Sequence, residues 1–297
     1  MSKLPAATLA LLMILVVSMI LIISTIDRIR EFRDNQREVQ EAVVKGAAFA
    51  ASMRILETKK MVTLFADEYR DLIKRLAIYP NDEVTQKLIR DRLQARFSNL
   101  FTFTIATPEG VPVLSDIETR VGEICQKDLT GFIDAVEKGH PVGKLNRVSI
   151  HPNPSGYHYD VMVPLEISGV SRIFFVSFYP FYLAEIARTH APPGHQLIFV
   201  NDDDPTLIEV AAGGSRNLLG RDIRLTSDEA ARAKVAKYVT GSKWRLIDLP
   251  DEKFVKNYEK KLWREVALIL IFVALFSMIM MMYLIRRCRQ CALNPRQ

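Results

Sequence analysis

Two long apolar runs stand near the ends of the chain, and a polar and charged sequence lies between them. Leu4 to Ile26 and Val266 to Ile285 contain no charged residue. About 20 consecutive apolar residues are enough to cross the hydrocarbon core of a bilayer. We therefore predict transmembrane helices at 4–26 and 264–285, followed by a short tail at 286–297.

The first run could also be a cleaved signal peptide. It is longer than the roughly 7–15 apolar residues of such signals, and it continues directly into a charged helical pattern. Arg286, Arg287 and Arg289 follow the second run, and such charges favour the cytoplasmic side. We expect an uncleaved anchor in a bacterial inner (plasma) membrane, with both termini cytoplasmic and the main domain periplasmic. A lone cysteine in that domain, Cys125, fits a periplasm.

A helical pattern follows the first apolar run. Residues at alternating steps of three and four form an approximate heptad seam: Ile29, Phe32, Gln36, Val39, Val43, Gly46, Ala50 and Met53. This pattern predicts a long stalk helix over 27–80, ended by Pro80, with homodimerisation through its first half. An ordinary surface helix that buries one apolar stripe is the alternative, and it explains the second half equally well.

The period changes to that of strands at Phe101, which predicts an α+β fold. In a first module, 81–190, we expect a helix capped by Asn81 or Asp82, then a five-stranded antiparallel sheet with helices on one face. Its strands are expected at 101–107, 111–116, 147–151, 157–167 and 171–179, with a helix at 127–137. The break Ala191-Pro192-Pro193-Gly194 begins a smaller module, 191–262, whose last hairpin joins 235–239 to 244–249.

Composition and motifs narrow the function classes. The 297 residues carry a net charge of +6, without an aromatic-interleaved basic stripe for nucleic acid. There is no Gly-rich phosphate loop, G-x-S-x-G elbow or H-E-x-x-H motif, so we expect neither an enzyme nor a cofactor. Three cysteines cannot form a disulfide framework, and the Cys288–Cys291 pair lacks the context of a redox or zinc site.

Candidate binding residues concentrate around one turn of the first sheet: Arg147, His151, Tyr157, His158, Tyr159 and Asp160. Tyr157 and Tyr159 share one face of a strand, and His158 and Asp160 take the other with Met162. If the tyrosines pack under the helices, the His/Asp face meets solvent or a partner. The reverse assignment makes His158 and Asp160 ligand groups. Arg147 could clamp a carboxylate with two parallel hydrogen bonds.

Two other interpretations of the histidines are open. His151 and His158 with Asp160 could bind a metal, but their spacing crosses a Pro-Asn-Pro loop that fixes no metal geometry, so we assign no metal site. The same histidines could sense acidification, because imidazole titrates near neutrality. The Asp202-Asp203-Asp204 run lacks the alternating ligands of a calcium loop and reads as a solvated turn.

These patterns together resemble the bacterial Cache (extracytoplasmic PAS-like) sensor family. FTFTIATPEGVPVLSD with Val121-Gly122-Glu123 is similar to that family's early hairpin and following loop, and VTGSKWRLIDLP to its closing hairpin. The blocks HPNPSGYHYDVMVPL, RIFFVSF and HQLIFVND with LIEVAAGGSRNLL resemble sensor regions ahead of diguanylate cyclases. The likeness covers Ile29 to Tyr258. The family's Tyr–Arg–Trp-Tyr amino-acid signature is missing, since Tyr69 and Arg70 do not reproduce it.

The resemblance implies a membrane receptor that binds a small ligand and passes a conformational signal through its transmembrane helices. RRCRQCALNPRQ after Ile285 contains no kinase, cyclase, phosphodiesterase or methyl-accepting module, so we expect a separate output protein or a remnant of a longer receptor. The alternative is an envelope structural or assembly protein that uses the same domain to bind another protein. The residues do not name the ligand, nor do they decide whether the second module has a pocket.

Overall fold

The computed structural model describes residues 6–114, 123–139, 147–153 and 156–293. The chain forms two compact units. One combines Met1–Val39 with Asp251–Gln297, and the other comprises Gln40–Pro250. Helix α1, Ala6–Glu68, contributes residues to both units.

The first unit contains the beginning of α1 and the last helix of the described chain, Glu252–Leu293. Both helices are long and apolar enough to cross a membrane, and their apolar stretches are exposed. The Phe32 ring stacks on Tyr258 with centroids 3.8 Å apart, and Arg33 Nη2 lies 2.6 Å from Glu259 Oε1. Phe32, near the start of the predicted heptad seam, therefore packs against another helix of the same chain.

Three helices lead into the sheets of the second unit. The sequence predicted a stalk helix over 27–80, whereas α1 ends at Glu68 and α2 spans Arg70–Ile78. Helix α3, Glu83–Arg96, begins after Asp82, whose Oδ1 accepts a hydrogen bond from the Thr85 backbone N–H at 3.1 Å. That contact is an N-cap, one of the two capping residues expected from the sequence.

The first sheet is antiparallel and follows the order β1-β4-β3-β2. Its strands are β1 Leu100–Ala106, β2 Ile150–His151, β3 His158–Ile167 and β4 Val170–Phe178. The expected partner of β1 at 111–116 is reduced to a bridge between Ala106 and Pro112 and a hydrogen bond from Val113 N to Ile105 O. Ser115 and Asp116 of that expected strand, and Val121-Gly122, lie outside the described residues.

Each face of this sheet is set by the strand register. Tyr159, Val161 and Val163 pair across the sheet with Phe178, Val176 and Phe174 on one face. Phe65 of α1 stacks on Phe174 at 6.0 Å, so this face is the apolar core beneath the helices. Helix α4, Glu123–Glu137, also contributes buried Leu129, Phe132 and Ile133 to the core of this unit, and its Phe132 lies on the opposite side of the sheet, near Met162.

The second sheet is also antiparallel, with the order β7-β6-β5-β9-β8. Helix α5, Phe181–His190, precedes β5 His195–Asn201, β6 Ile208–Ala211 and β7 Gly214–Ser215. A 3₁₀ turn at Arg216–Leu218 and helix α6, Ser227–Arg232, lead to β8 Ala236–Tyr238 and β9 Trp244–Pro250. The last helix, Glu252–Leu293, is α7. The α+β prediction, including the long N-terminal helix and antiparallel sheets, is confirmed.

Candidate ligand-binding site

A row of polar side chains crosses the second face of the first sheet. Thr102 of β1 and Asp160 of β3 both pair with Ser177 of β4, and all three are buried. His151 of β2 pairs with His158 of β3 next to them. Buried polar groups normally have hydrogen-bonding partners, so the contacts of these side chains determine what the row can bind.

Asp160 is the centre of this row. Its Oδ1 accepts a hydrogen bond of 2.7 Å from the Ser177 hydroxyl. Its Oδ2 makes no hydrogen bond within the described part of the chain, although the side chain is only 1% exposed. An unsatisfied buried polar group costs about 1–3 kcal/mol, and more when it is charged. A ligand that donates a hydrogen bond to Oδ2 would remove that cost.

Two imidazole rings flank the Asp160 carboxylate. His151 Nε2 lies 3.4 Å from Asp160 Oδ2, and His158 Nε2 lies 3.7 Å from Oδ1. His158 Nδ1 must carry hydrogen, because it donates to the Gly156 carbonyl at 3.1 Å. Burial lowers the pKa of His158, against the opposing effect of the Asp160 charge. His158 is therefore neutral at neutral pH, and His151 Nδ1 is unpartnered among the described residues.

A cavity of about 310 Å³ opens over this polar row. Its volume lies at the lower end of the roughly 300–1,000 Å³ typical of small-molecule sites. Helix α4 forms the opposite wall, because Asp128 and Phe132 face Asp160 and Met162 across the space. The complete lining is Lys127, Asp128, Gly131, Phe132, Arg147, Val148, Ser149, His151, Asp160, Met162 and Lys243.

The turn at 240–243 of the second module supplies part of the rim. It pairs in parallel with Val148, through Val148 N to Gly241 O at 3.0 Å and Lys243 N to Val148 O at 2.8 Å. Lys243 Nζ lies 3.7 Å from Asp128 Oδ2 across the rim. On the other side of the turn, Lys59 of α1 donates to Gly241 O at 2.8 Å, and burial lowers the pKa of Lys59 to about 8.

Residues 147–151 form one wall of the cavity. Hydrogen bonds from the second module hold this segment at both ends. Asp202 Oδ2 accepts from Arg147 Nη2 at 2.9 Å, and its Oδ1 accepts from Arg245 Nε of β9 at 2.6 Å. At the other end, Arg216 Nη2 lies 3.4 Å from the Ile150 carbonyl oxygen. The Nε of Arg216 also donates to the fully buried Glu209 at 2.8 Å.

The structure divides the sequence-predicted site residues into two groups. Arg147, His151 and Asp160 line the cavity. His158 does not line it; its ring stacks on Phe101 at 4.6 Å, and its Nε2 lies 3.7 Å from Asp160 Oδ1.

The two tyrosines lie away from the cavity lining. Tyr159 is core, edge-on to Trp244 at 6.1 Å, and burial raises its pKa to about 12. Tyr157 is half-buried beneath the Arg216 guanidinium, at 5.6 Å. Packing of Tyr159 under the helices does not leave the His/Asp face to solvent, because α4 covers it.

Several cavity residues had no sequence signal. Asp128 and Lys127 lie on α4, and Lys243 comes from the second module. Ser177 could have been placed beside Asp160 only from the strand register. Within the described residues, no group of three or more His, Cys, Asp or Glu side chains could hold a metal ion.

No protein-family model and no curated protein sequence matches this chain. The structure is similar to solved sensory domains. The sensory domain of the Campylobacter jejuni chemoreceptor Tlp3 is 11% identical, with 77% of this chain and 98% of that chain covered and a TM-score of 0.44.

The ligand-binding domain of the Pseudomonas aeruginosa amino-acid chemoreceptor PctB, solved with L-Arg, is 13% identical, with 76% and 97% covered and a TM-score of 0.44. That of Pseudomonas aeruginosa PctC, solved with GABA, is 13% identical, with 71% and 97% covered and a TM-score of 0.40. These three structures are sensory or ligand-binding domains.

Proposed function

We propose that this chain is a two-pass membrane sensor whose unit Gln40–Pro250 binds a small ligand in the cavity between β3 and α4. The observation that carries this proposal is Asp160 Oδ2, which lines the cavity and makes no hydrogen bond within the described part of the chain, although His151 Nε2 lies 3.4 Å away. Lys127 and Lys243 add positive charge at the rim. The site therefore suits a small polar molecule with a hydrogen-bond donor at one end and an acceptor at the other.

The route of the signal follows from the residues that the cavity shares with the second sheet. A ligand between α4 and the 147–151 wall changes the contacts of Arg147 and Lys243. Both are joined to the 240–243 turn, which leads directly into β9. Pro250 ends β9 and Glu252 begins α7. Ligand binding can shift this chain of contacts only as far as it favours one packing over another.

A second copy of the chain is proposed to pack on the exposed face of α1. Ala42, Gly46, Phe49, Met53 and Leu56 are exposed at steps of four and three, whereas Val43 of the sequence-predicted seam packs against the core. The Phe49 side chain is 67% exposed. Large exposed apolar side chains at heptad spacing are typical of a helix–helix interface. The exposed row therefore favours a dimer interface that uses Ala42 in place of Val43 of the predicted seam.

A thermal-shift screen of the detergent-solubilised full chain against small polar metabolites tests the binding proposal. A ligand present at 100 times its Kd stabilises the native state by about 2.7 kcal/mol. We expect at least one compound to raise the Tm of the wild type and to leave Asp160→Asn unchanged. A compound that stabilises both proteins equally would place its site elsewhere.

The second candidate function is assembly with another envelope protein. It is favoured by a cluster of exposed apolar side chains around the α2–α3 connection, where Ile78, Tyr79 and Val84 are 54%, 64% and 79% exposed. Crosslinking should then recover one dominant envelope protein, and Val84→Ser should abolish its capture. Under the sensor proposal, Val84→Ser leaves ligand-dependent stabilisation intact.

A further inference from the structure

Helix α7 carries a dense group of basic residues immediately before its apolar stretch. Between Lys253 and Arg264 the segment KFVKNYEKKLWR contains one acidic residue, Glu259. The Glu259 carboxylate is already paired, because its Oε1 lies 2.6 Å from Arg33 Nη2. The five basic residues of the segment therefore outnumber Glu259 and the adjoining Glu265, which leaves a net positive charge.

Three of these basic side chains are exposed and have no counter-ion within the described part of the chain. Lys260, Lys261 and Arg264 make no ion pair with any residue that the structure describes. Trp263 lies among them and is 44% exposed. Tryptophan next to lysine and arginine is the combination favoured at the headgroup level of a bilayer.

The position of Lys260, Lys261, Trp263 and Arg264 along α7 sets their distance from the hydrocarbon core of the bilayer. At 1.5 Å per residue, Lys260 to Arg264 lie about 3–9 Å along the axis from Val266, where the uncharged stretch begins. The headgroup layer on each side of the hydrocarbon core is about 5–8 Å thick. The ammonium and guanidinium groups therefore reach lipid phosphates while the apolar residues stay in the hydrocarbon.

We propose that Lys260, Lys261, Trp263 and Arg264 form a binding site for an anionic phospholipid, with the phosphodiester accepting hydrogen bonds from the basic groups. Arginine and lysine both bind phosphate oxygens well, and Trp263 packs against the adjoining glycerol and acyl carbons. The inference rests on the membrane placement of α7 proposed above. It concerns a surface of the first unit and is independent of the ligand cavity.

Trp263 is also the reporter for its own test, since the chain has two tryptophans and Trp244 is fully buried in the other unit. The full chain is reconstituted in phosphatidylcholine vesicles with a minor fraction of phosphatidylglycerol, and either lipid is brominated to quench tryptophan fluorescence. We expect phosphatidylglycerol to be enriched around Trp263 by about five-fold, the factor for a single basic residue near an anionic surface. Inorganic phosphate in the buffer should not reverse that enrichment.

A triple variant, Lys260→Gln, Lys261→Gln and Arg264→Gln, should equalise quenching by the two brominated lipids. The matched control removes three exposed basic residues of the other unit, through Lys87→Gln, Arg92→Gln and Lys237→Gln, and should keep the enrichment. Equal quenching in the wild type, or enrichment that survives the triple variant, would overturn the lipid site. Absence of quenching by either lipid would instead refute the membrane placement of α7.

Discussion

Asp202 Oδ2 lies 2.9 Å from Nη2 of Arg147, so an aspartate of the loop after β5 holds a residue at the rim of the cavity. The other oxygen of Asp202 accepts from Arg245 of β9. One carboxylate thereby joins the cavity rim to the strand that precedes α7. The Arg147 hydrogen bond, with Arg245 beside it, keeps the pKa of Asp202 below its ordinary value.

Asp202→Asn tests this connection. We expect faster amide exchange at 147–151 and 243–246, because the charge that holds both arginines is lost. The loss of stability should be about 1 kcal/mol or less, since the pair is partly exposed. Asp204→Asn is the matched control in the same loop, because Asp204 pairs with Arg224, away from the cavity lining, at 2.7 Å. Exchange at 147–151 that responds equally to both variants would refute the connection.

The buried Arg216–Glu209 pair predicts that two arginines of the second module contribute differently to the free energy of unfolding. Arg216→Met leaves the fully buried Glu209 without its cationic partner, and breaking a buried pair in this way costs about 3–5 kcal/mol. Arg221→Met removes a pair with Glu229, which is partly exposed, and should cost less. Chemical denaturation of the two variants measures the difference. Equal losses would mean that the Arg216 pair is not buried in solution.

Ser177→Ala probes the support of the central carboxylate without removing its charge. The Ser177 hydroxyl donates a hydrogen bond to Asp160 Oδ1, and both groups are buried. We expect a loss of about 1–3 kcal/mol in the free energy of unfolding. Any ligand that donates to Oδ2 should bind the variant more weakly, while Ser171→Ala, on the same strand but half-exposed, should change neither quantity.

His158 predicts a pH dependence whose sign is set by burial. Its pKa in the fold is below the ordinary value of 6.5, so the unfolded chain binds more protons near that pH. Stability should therefore fall as pH decreases from about 7 toward the lowered pKa. His158→Gln should flatten the decrease in Tm between pH 7 and pH 5. His190→Gln, at an exposed position, should leave the decrease unchanged.

A substitution at Gly46 can test the proposed dimer without destabilising the single chain. A Cβ at Gly46 would meet nothing within 4 Å in the protomer, and Gly inside a helix is about 1 kcal/mol less favourable than Ala. Gly46→Leu should therefore stabilise the helix while preventing close approach of a second α1. Analytical ultracentrifugation in detergent should show a weaker dimer together with an unchanged or higher Tm. A dimer of unchanged affinity would exclude this face.

The sequence predicted the fold well where periodicity is strong. The apolar helices, the strands around Tyr159 and Phe174, and the hairpin at Trp244 follow from runs whose period of 3.6 or 2 reports burial directly. The sequence did not predict helix boundaries at which the chain changes direction without proline or glycine. The break at Tyr69 is an example, because no residue there forbids a continuing helix.

The site was predicted in part for a similar reason. Alternation along β3 placed Asp160 and His158 on one face, and the structure agrees. Alternation could not show that α4 covers that face, nor that Lys243 reaches it from the second module. Contacts between residues far apart in sequence depend on packing of whole elements, which a local pattern does not encode.

Hydrogen exchange of the full chain, with and without a compound that raises its Tm, tests the central claim most directly. If the cavity binds the ligand, exchange should slow in the cavity segments 127–132 and 147–151, then in the 240–243 turn and β9. The same protection should be absent in Asp160→Asn. Protection confined to the α2–α3 connection, or protection that persists in Asp160→Asn, would contradict a ligand site in this cavity.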